Sequence, residues 1–448
     1  MGKIVFVLRS AIQNVEYTKC IAILLILAGG ASCSDDNASS DDNVSSDDNE
    51  KYVMWTPCPI ATIDDGAVQL NWLNYSIYNK ILLPFEWVSP DKFDIYISES
   101  ETSKFRKLIE LKNDESYSYT ADKLQNGKPY FFYVVSKKNG FKSLYSDTVM
   151  AVPNKRKEFE ILQISNDLVH TLWNVSIARQ KNKIAYVDQY IWDCTASANG
   201  LCMDHSVFIS NIDGSEKELV GISGRNPHWS PANDKIVYWS EKVYDPQVGR
   251  VQTIELYDCE TKSNTRLTVG NDRNLAPVFS GNGEFLLFQS SKNAPDKYTT
   301  NIWLFNLKTF DSFQITDISK TSLRTVEYPY CIDNDRFLFH GIYPGEKYQL
   351  FESSVSKKQI NKVFSSKWND CTPSISPDQT KIAFISDRTR IYQIWIYHIV
   401  SKTYSQITGY SNGESIGQYT NIEWVDNSTI MYTIYSNEGL QLVKQRVE

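Results

Sequence analysis

The sequence of 448 residues is poor in the features that mark membrane-spanning proteins, nucleic-acid binders and several enzyme classes. Its most apolar stretch, Cys20 to Leu27, is too short to cross a bilayer, which takes about 20 apolar residues. Histidine occurs only five times, and neither H-E-x-x-H nor G-x-x-x-x-G-K-S/T is present. That excludes the zinc-peptidase helix and the P-loop. Positive charge is not concentrated anywhere. Of the formal net charge of −7, seven negative charges lie in residues 34–50 and a net +2 lies in residues 1–33, so the rest of the chain carries −2. A nearly neutral body argues against nucleic acid as a partner, because phosphate binding needs a concentrated basic surface.

What the chain has in quantity is aromatic residues: 27 Tyr, 20 Phe and 11 Trp. With 42% hydrophobic residues, they supply ample cores and favour strands. The sequence therefore predicts an all-β protein.

The N-terminus reads as an export segment. Lys3, Arg9 and Lys19 precede or flank the short apolar run, and Gly29, Gly30, Ala31 and Ser32 lead into Cys33. Small residues before a cysteine resemble a bacterial lipobox, although Gly30 stands where that motif has Leu. The resemblance implies a signal peptide over 1–33, lipidation of Cys33, and anchoring to the outer membrane. Residues 34–56 repeat Ser, Asp and Asn and cannot bury apolar surface, so they are expected to form an acidic disordered tether. Ser34 to Asn37 also resembles the surface-export signal of Bacteroidetes lipoproteins, which implies the cell surface; the periplasmic face is the alternative.

Residues 57–153 alternate in short runs, Val68 to Trp72, Phe93 to Ile97 and Tyr130 to Val135, separated by polar clusters. Trp72, Leu124, Gly127 and Tyr130 fall where fibronectin type III domains carry a core Trp and a tyrosine corner. The segment resembles that family, which implies a β-sandwich acting as spacer or protein-binding module.

Residues 155–448 repeat a four-strand phrase. The anchors Trp229, Phe279 and Ile375 lie 50 and 96 residues apart, so the unit is about 48 residues and six copies fit. Each copy has a second strand after a polar turn, such as Lys235 to Trp239 after Pro231 to Asp234, or Lys381 to Ile385 after Pro377 to Thr380. The last copy has three strands. Phe159 to Gln163 matches a fourth strand, and the expectation is that it completes the last blade. The phrase Pro-x-aromatic-Ser-Pro-Asp resembles the TolB-type six-bladed β-propeller. That resemblance implies docking of envelope proteins and no chemistry, and no hydrolase domain is expected after the propeller.

Eight cysteines are present. Cys194 and Cys202 flank one loop and can close it as a disulfide; Cys58, Cys259, Cys331 and Cys371 read as small buried strand residues. Inner strands of a propeller begin near one mouth of its channel. By alignment that mouth carries His170, Arg225, Asn226, Arg273, Asn274, Glu327, Asn369 and Tyr419, a mixture suited to a polar ligand or extended peptide. Tyr190 and Trp192, in a long insertion, form a second candidate contact surface. No catalytic residue, metal or cofactor is expected. The expected partner is an envelope protein, an exported peptide or a glycan. Two rival expectations are a glycan-binding accessory protein of an uptake system and a metal-dependent carbohydrate lyase or hydrolase using His170 and His228.

Overall fold

The computed structural model describes residues 53–54, 57–72, 87–88, 90–113, 117–143, 145–155, 159–162, 170–178, 180, 182–193, 201–245, 249–296, 298–409, 416–436 and 439–448. The signal segment, Cys33 and the acidic repeat lie outside them. The described residues are all-β, with one 3-10 turn at Ile318–Lys320 and no α-helix. Two compact units are present. The first comprises Met1–Arg156, Arg388–Gln393 and Tyr404–Ser411; the second comprises Lys157–Asp387, Ile394–Thr403 and Asn412–Glu448.

In the first unit, Pro59–Asp64, Ala67–Trp72 and Ser118–Ala121 form a three-stranded antiparallel sheet. Val149–Ala151, Tyr130–Lys138, Lys92–Ser98 and Arg106–Lys112 form a second sheet in that order, with Phe141–Lys142 paired to Tyr130–Lys138. Alternate residues Val68, Leu70 and Trp72 of one sheet meet Phe93, Ile95, Phe132 and Val134 of the other in a single core. Trp72 and Phe93 touch edge to face at 5.2 Å. The Tyr130 hydroxyl accepts the Gln125 N–H at 3.0 Å. Gly127 sits at φ +74 with its N–H on the Pro153 carbonyl at 2.9 Å, a backbone conformation that glycine adopts without steric cost.

The second unit contains six four-stranded antiparallel sheets in chain order. Blade one runs from His170–Ala178 to Glu218–Ile222. The next four blades start with the strands Gly224–Trp229, Asn274–Phe279, Thr325–Cys331 and Asp370–Ile375. Blade six uses Glu423–Asp426, Thr429–Ser436 and Gly439–Arg446, and its fourth strand is Phe159–Leu162, which pairs antiparallel with Gly439–Arg446. Val175, Ile184 and Tyr186 of blade one share a core with Met431 and Leu442 of blade six, so the last blade packs on the first. Equivalent cores join blades one and two around Trp229, two and three around Phe279, and three and four around Phe337 and Phe339.

The serine of the repeated phrase has a defined local task. Ser230, Ser280 and Ser376 each turn a hydroxyl oxygen toward the N–H five residues on, at 3.0, 3.2 and 3.0 Å. It closes the first hairpin of its blade. In blade four, which lacks the phrase, the Asp333 carboxylate accepts from Asp335 and Arg336 instead, both at 2.8 Å.

A second regularity lies inside the inner strands. Asn174, Asn226, Ala276, Tyr328 and Thr372 have φ of +45, +48, +47, +52 and +44, and each coincides with a register shift against the second strand. These are β-bulges with a non-glycine residue in the left-handed region, which costs on the order of 1–3 kcal/mol each. Four are followed by Pro227, Pro277, Pro329 and Pro373. Proline suits a position that has left the ladder and needs no donor there. The amide displaced by a bulge finds a partner on the preceding blade: Tyr328 N–H donates to Gln289 Oε1 at 2.8 Å, and Thr372 N–H donates to His340 Nδ1 at 3.1 Å.

The cysteines depart from the uniform expectation. Cys58 takes part in a disulfide, while Cys259 and Cys331, half-buried, and Cys371, buried, are not disulfide-bonded. Cys194 lies outside the described residues and the Cys202 side chain is not described, so their pairing falls outside the structure.

Two substitutions separate packing from local hydrogen bonding. Phe339→Ala, in a fully buried ring cluster, is expected to destabilise the second unit by about 3–5 kcal/mol. Tyr130→Phe is expected to cost the first unit about 1 kcal/mol through the lost corner bond. Urea unfolding followed by tryptophan fluorescence checks both, and a Tyr130→Phe cost near zero would remove the corner bond as a stabilising contact.

Candidate binding site at the channel mouth

The bulges of blades two to five, with a segment of blade six that has no left-handed residue, line a central channel. Its walls are Asn226–His228, Ala276–Val278, Tyr328–Tyr330, Thr372–Ser374 and Asn421–Glu423, around an open space of about 450 Å³. His228 faces this space and its Nδ1 lies 3.5 Å from the Phe279 amide, so it bridges blades two and three.

At the end where the inner strands begin, blade four gathers a cluster. His340, from the second strand Arg336–Ile342, is fully buried. Its Nδ1 accepts from Thr372, so the ring is neutral with its proton on Nε2. Nε2 lies 3.6 Å from Glu327 Oε2. That is longer than a hydrogen bond, and Nε2 has no hydrogen-bond partner, so the contact is not a formed ion pair. Tyr328 stacks on His340 at 5.4 Å and on Tyr419 at 5.2 Å, with ring planes 17° and 8° apart. Tyr348, from the third strand Tyr348–Ser354, meets His340 edge-on at 5.0 Å. Tyr419 is 40% exposed despite its stack, and its carbonyl accepts from Asn174 Nδ2 at 3.2 Å.

Several charged groups bear on the mouth: Asp370 and Asp387 act with Glu327 on Cys371, and Arg324 acts with Glu327 on Tyr348. Glu327 is largely buried, its carboxylate receiving only a long hydrogen bond from Thr325 Oγ1 at 3.4 Å. Arg225 lies over the Trp239 ring at 5.2 Å, and its Nη2 meets His205 Nδ1 at 3.2 Å. Neither has a partner of opposite fixed charge among the described residues. Burial, with the Glu327 charge added, pushes the Tyr348 phenol up to about 12. Burial likewise raises Tyr328, against the opposing charge of Arg225 and a hydrogen bond from Asn226. It raises Tyr419 too, with the neighbouring Tyr348 and Glu327 adding to the shift. The Cys371 thiol is held well above its ordinary value by burial, against a contact from Gln418 Nε2 at 3.5 Å.

Of the residues aligned to the mouth in sequence, Arg225, Asn226, Glu327 and Tyr419 come together around Tyr328. Asn226 sits within the bulge and accepts from Trp239 Nε1 at 2.7 Å. Asn274 is consumed by structure: Nδ2 donates to the Gln252 and Asp272 carbonyls at 3.2 and 3.0 Å, and Oδ1 accepts from Ser290 at 2.7 Å. Asn369 is likewise committed, to Asp387 at 2.8 Å and to the Tyr348 amide at 3.1 Å. Arg273 Nε donates to Gln252 Oε1 at 3.2 Å. The backbones of His170 and Tyr190 face each other across a strand pair, and Trp192 opposes Cys202. The side chains of these four residues lie outside the description, so the metal pairing of His170 with His228 and the Tyr190–Trp192 surface are not addressed. Among the described residues, no group of three His, Cys, Asp or Glu is placed to hold a metal ion.

Sequence alignment missed His340 and Tyr348. One signal was available: a lone histidine following the apolar run Phe337 to Phe339, where blade three has Gln289 as another inter-blade acceptor. The run Gly409 to Gly413 spells G-x-S-x-G, against the expectation that the sequence holds no such elbow. Such an elbow requires a strand-to-helix turn. Ser411 lies outside the described residues, and the described residues contain no α-helix.

No protein-family description and no curated protein matches the sequence. The solved structures to which the chain is similar are TolB-like and other propellers. TolB from Acinetobacter baumannii is 17% identical, with 72% of this chain and 78% of that one covered and a TM-score of 0.41. The propeller domain of the trilobed protease from Pyrococcus furiosus is 14% identical, covering 62% and 94%, with a TM-score of 0.42. Oligogalacturonate lyase from Vibrio parahaemolyticus is 8% identical, covering 65% and 97%, also with a TM-score of 0.42. The fold of the second unit is read from its own strand pairing, six four-stranded antiparallel sheets in chain order.

Buried phenols make stability fall at alkaline pH. A tyrosine whose folded pKa exceeds its unfolded value keeps its proton in the native state when the unfolded chain has lost it, so stability present below about pH 10 declines as pH rises toward the folded value. For Tyr348 the window is about pH 10 to about 12. Urea midpoints are expected to drop across it, and Tyr348→Phe is expected to make the drop shallower. An unchanged slope would show that this phenol does not carry the effect.

Proposed function

We propose that this chain is a non-catalytic lipoprotein of the bacterial cell envelope. It is anchored through Cys33 to the outer membrane and docks a protein or peptide partner at the channel mouth of a TolB-like propeller. The observation that carries this reading is the mouth itself, with Arg225 and Glu327 unneutralised, Tyr419 half-exposed and Tyr328 between interactions with both. Such a concave site with a few convergent polar groups and aromatic walls suits recognition. The acidic repeat then acts as a tether, and the surface of the cell is the favoured side of the membrane.

We assign the first unit to the fibronectin type III class. The order of its two sheets, the Trp72–Phe93 core contact and the Tyr130 hydroxyl on the Gln125 amide support this. In this reading it is a spacer or a second protein-binding module.

Crosslinking in intact cells followed by pull-down tests the proposal, with Cys33→Ala as the control for anchoring. A specific envelope protein or exported peptide is expected, with recovery falling at least about tenfold on Arg225→Ala combined with Tyr419→Ala. Equal recovery from the double variant would move the docking surface away from the mouth.

A further inference from the structure

The mouth contains a carboxylate that the fold does not neutralise, and its surroundings define what would. Glu327 is largely buried, in a bulged strand whose Tyr328 amide is held by Gln289 of the preceding blade. Its closest basic group, the His340 imidazole, is committed to the neutral form by the bond that Nδ1 accepts from the Thr372 amide. The Nε2–H of that ring is fully buried, aimed at Glu327, and unsatisfied. Three tyrosines, 328, 348 and 419, stand around the same pair, and each feels the Glu327 charge. Taking a carboxylate out of water without a counter-charge is costly, so the arrangement is incomplete in the free protein. A carboxylate set among aromatic rings is the complement of an organic cation, which gains charge attraction from the acid and from the ring faces.

We propose that Glu327 and Tyr328, Tyr348 and Tyr419 form a recognition site for a protonated primary amine carried by a peptide segment at the channel mouth. The inference rests on the peptide-docking reading above and specifies its chemistry. A compact ammonium suits the site better than a guanidinium. One Glu327 oxygen already accepts from Thr325 and the other faces His340, so the carboxylate offers no free pair of oxygens for a bidentate fork. Arg225, over the Trp239 ring and across Tyr328, repels a second cation and orients the segment by donating to a carboxylate or carbonyl oxygen. The amine has two sources, a lysine side chain or a chain N-terminus, which share this chemistry.

Isothermal titration of the full chain separates them. The probes are trilysine blocked at both ends, the same peptide with acetylated side chains, and trialanine amide with a free or an acetylated N-terminus. Saturable binding is expected for a probe with a free amine, at least tenfold weaker for its acetylated counterpart. Glu327→Gln is expected to weaken it at least tenfold, while Glu284→Gln at an exposed turn leaves it unchanged; near-UV circular dichroism confirms that both variants keep the native packing. Binding by lysine alone assigns the source to a side chain, and by trialanine alone to an N-terminus. No binding by either amine, or equal binding by the folded Glu327→Gln protein, would overturn the proposal. Because purified protein and defined peptides are used, such a failure alongside a captured partner would remove the amine and leave peptide docking in place.

Discussion

The second unit depends on a bulge repeated in the inner strands of five blades. Each puts a non-glycine residue into a left-handed backbone conformation, at Asn174, Asn226, Ala276, Tyr328 and Thr372, and each gives up ladder hydrogen bonds to do so. Strain of this kind persists only where surrounding structure over-determines it. Here the determination comes from neighbouring blades: side chains such as Gln289 and His340 reach across to take the freed amides. The bulges thus couple the blades through their inner strands, and those of blades two to five also build the channel wall together with Asn421–Glu423 of blade six.

That coupling explains the electrostatics of the mouth. His340 is committed to an inter-blade hydrogen bond, which fixes its tautomer and leaves its other nitrogen directed at Glu327. The tyrosines pack around this pair and exclude water, raising their own phenols as they do so. The charged groups stay apart because each is engaged with a ring, Arg225 with Trp239 and Glu327 with the tyrosine cluster. Structural requirement and recognition chemistry therefore meet in the same residues. By contrast, Asn274 and Asn369, which look equally polar in sequence, spend their hydrogen-bonding capacity on neighbouring strands and loops.

The first unit rests on different forces. Its sheets meet through alternating apolar positions, and the outer face of the larger sheet buries Asp94 under Lys107 and Lys137 at 2.6 and 2.5 Å. Burial of an acid is tolerated there because two cations close over it. The contrast with Glu327, less deeply buried but left without a cation, is what marks the latter.

The sequence by itself determined the number of blades, the second strands, the hairpin serines and the strand Phe159–Leu162 that joins the last blade. Those features follow from local periodicity and turn chemistry, which a repeat of about 48 residues makes visible. It also placed Arg225, Glu327 and Tyr419 near one mouth, because residues at the start of equivalent strands share an end of the channel. Only the tertiary structure decided which polar residues remain available. Asn274 and Asn226 are the same residue type near the start of adjacent inner strands, yet one is tied to Gln252 of the preceding blade and to Ser290 of its own, and the other meets Trp239 and Tyr328. His340 entered the cluster from a second strand, through a bond to the next blade that no local pattern encodes. Hydrogen-bond partners between blades depend on how six sheets pack, and packing distance is not a property of any one segment.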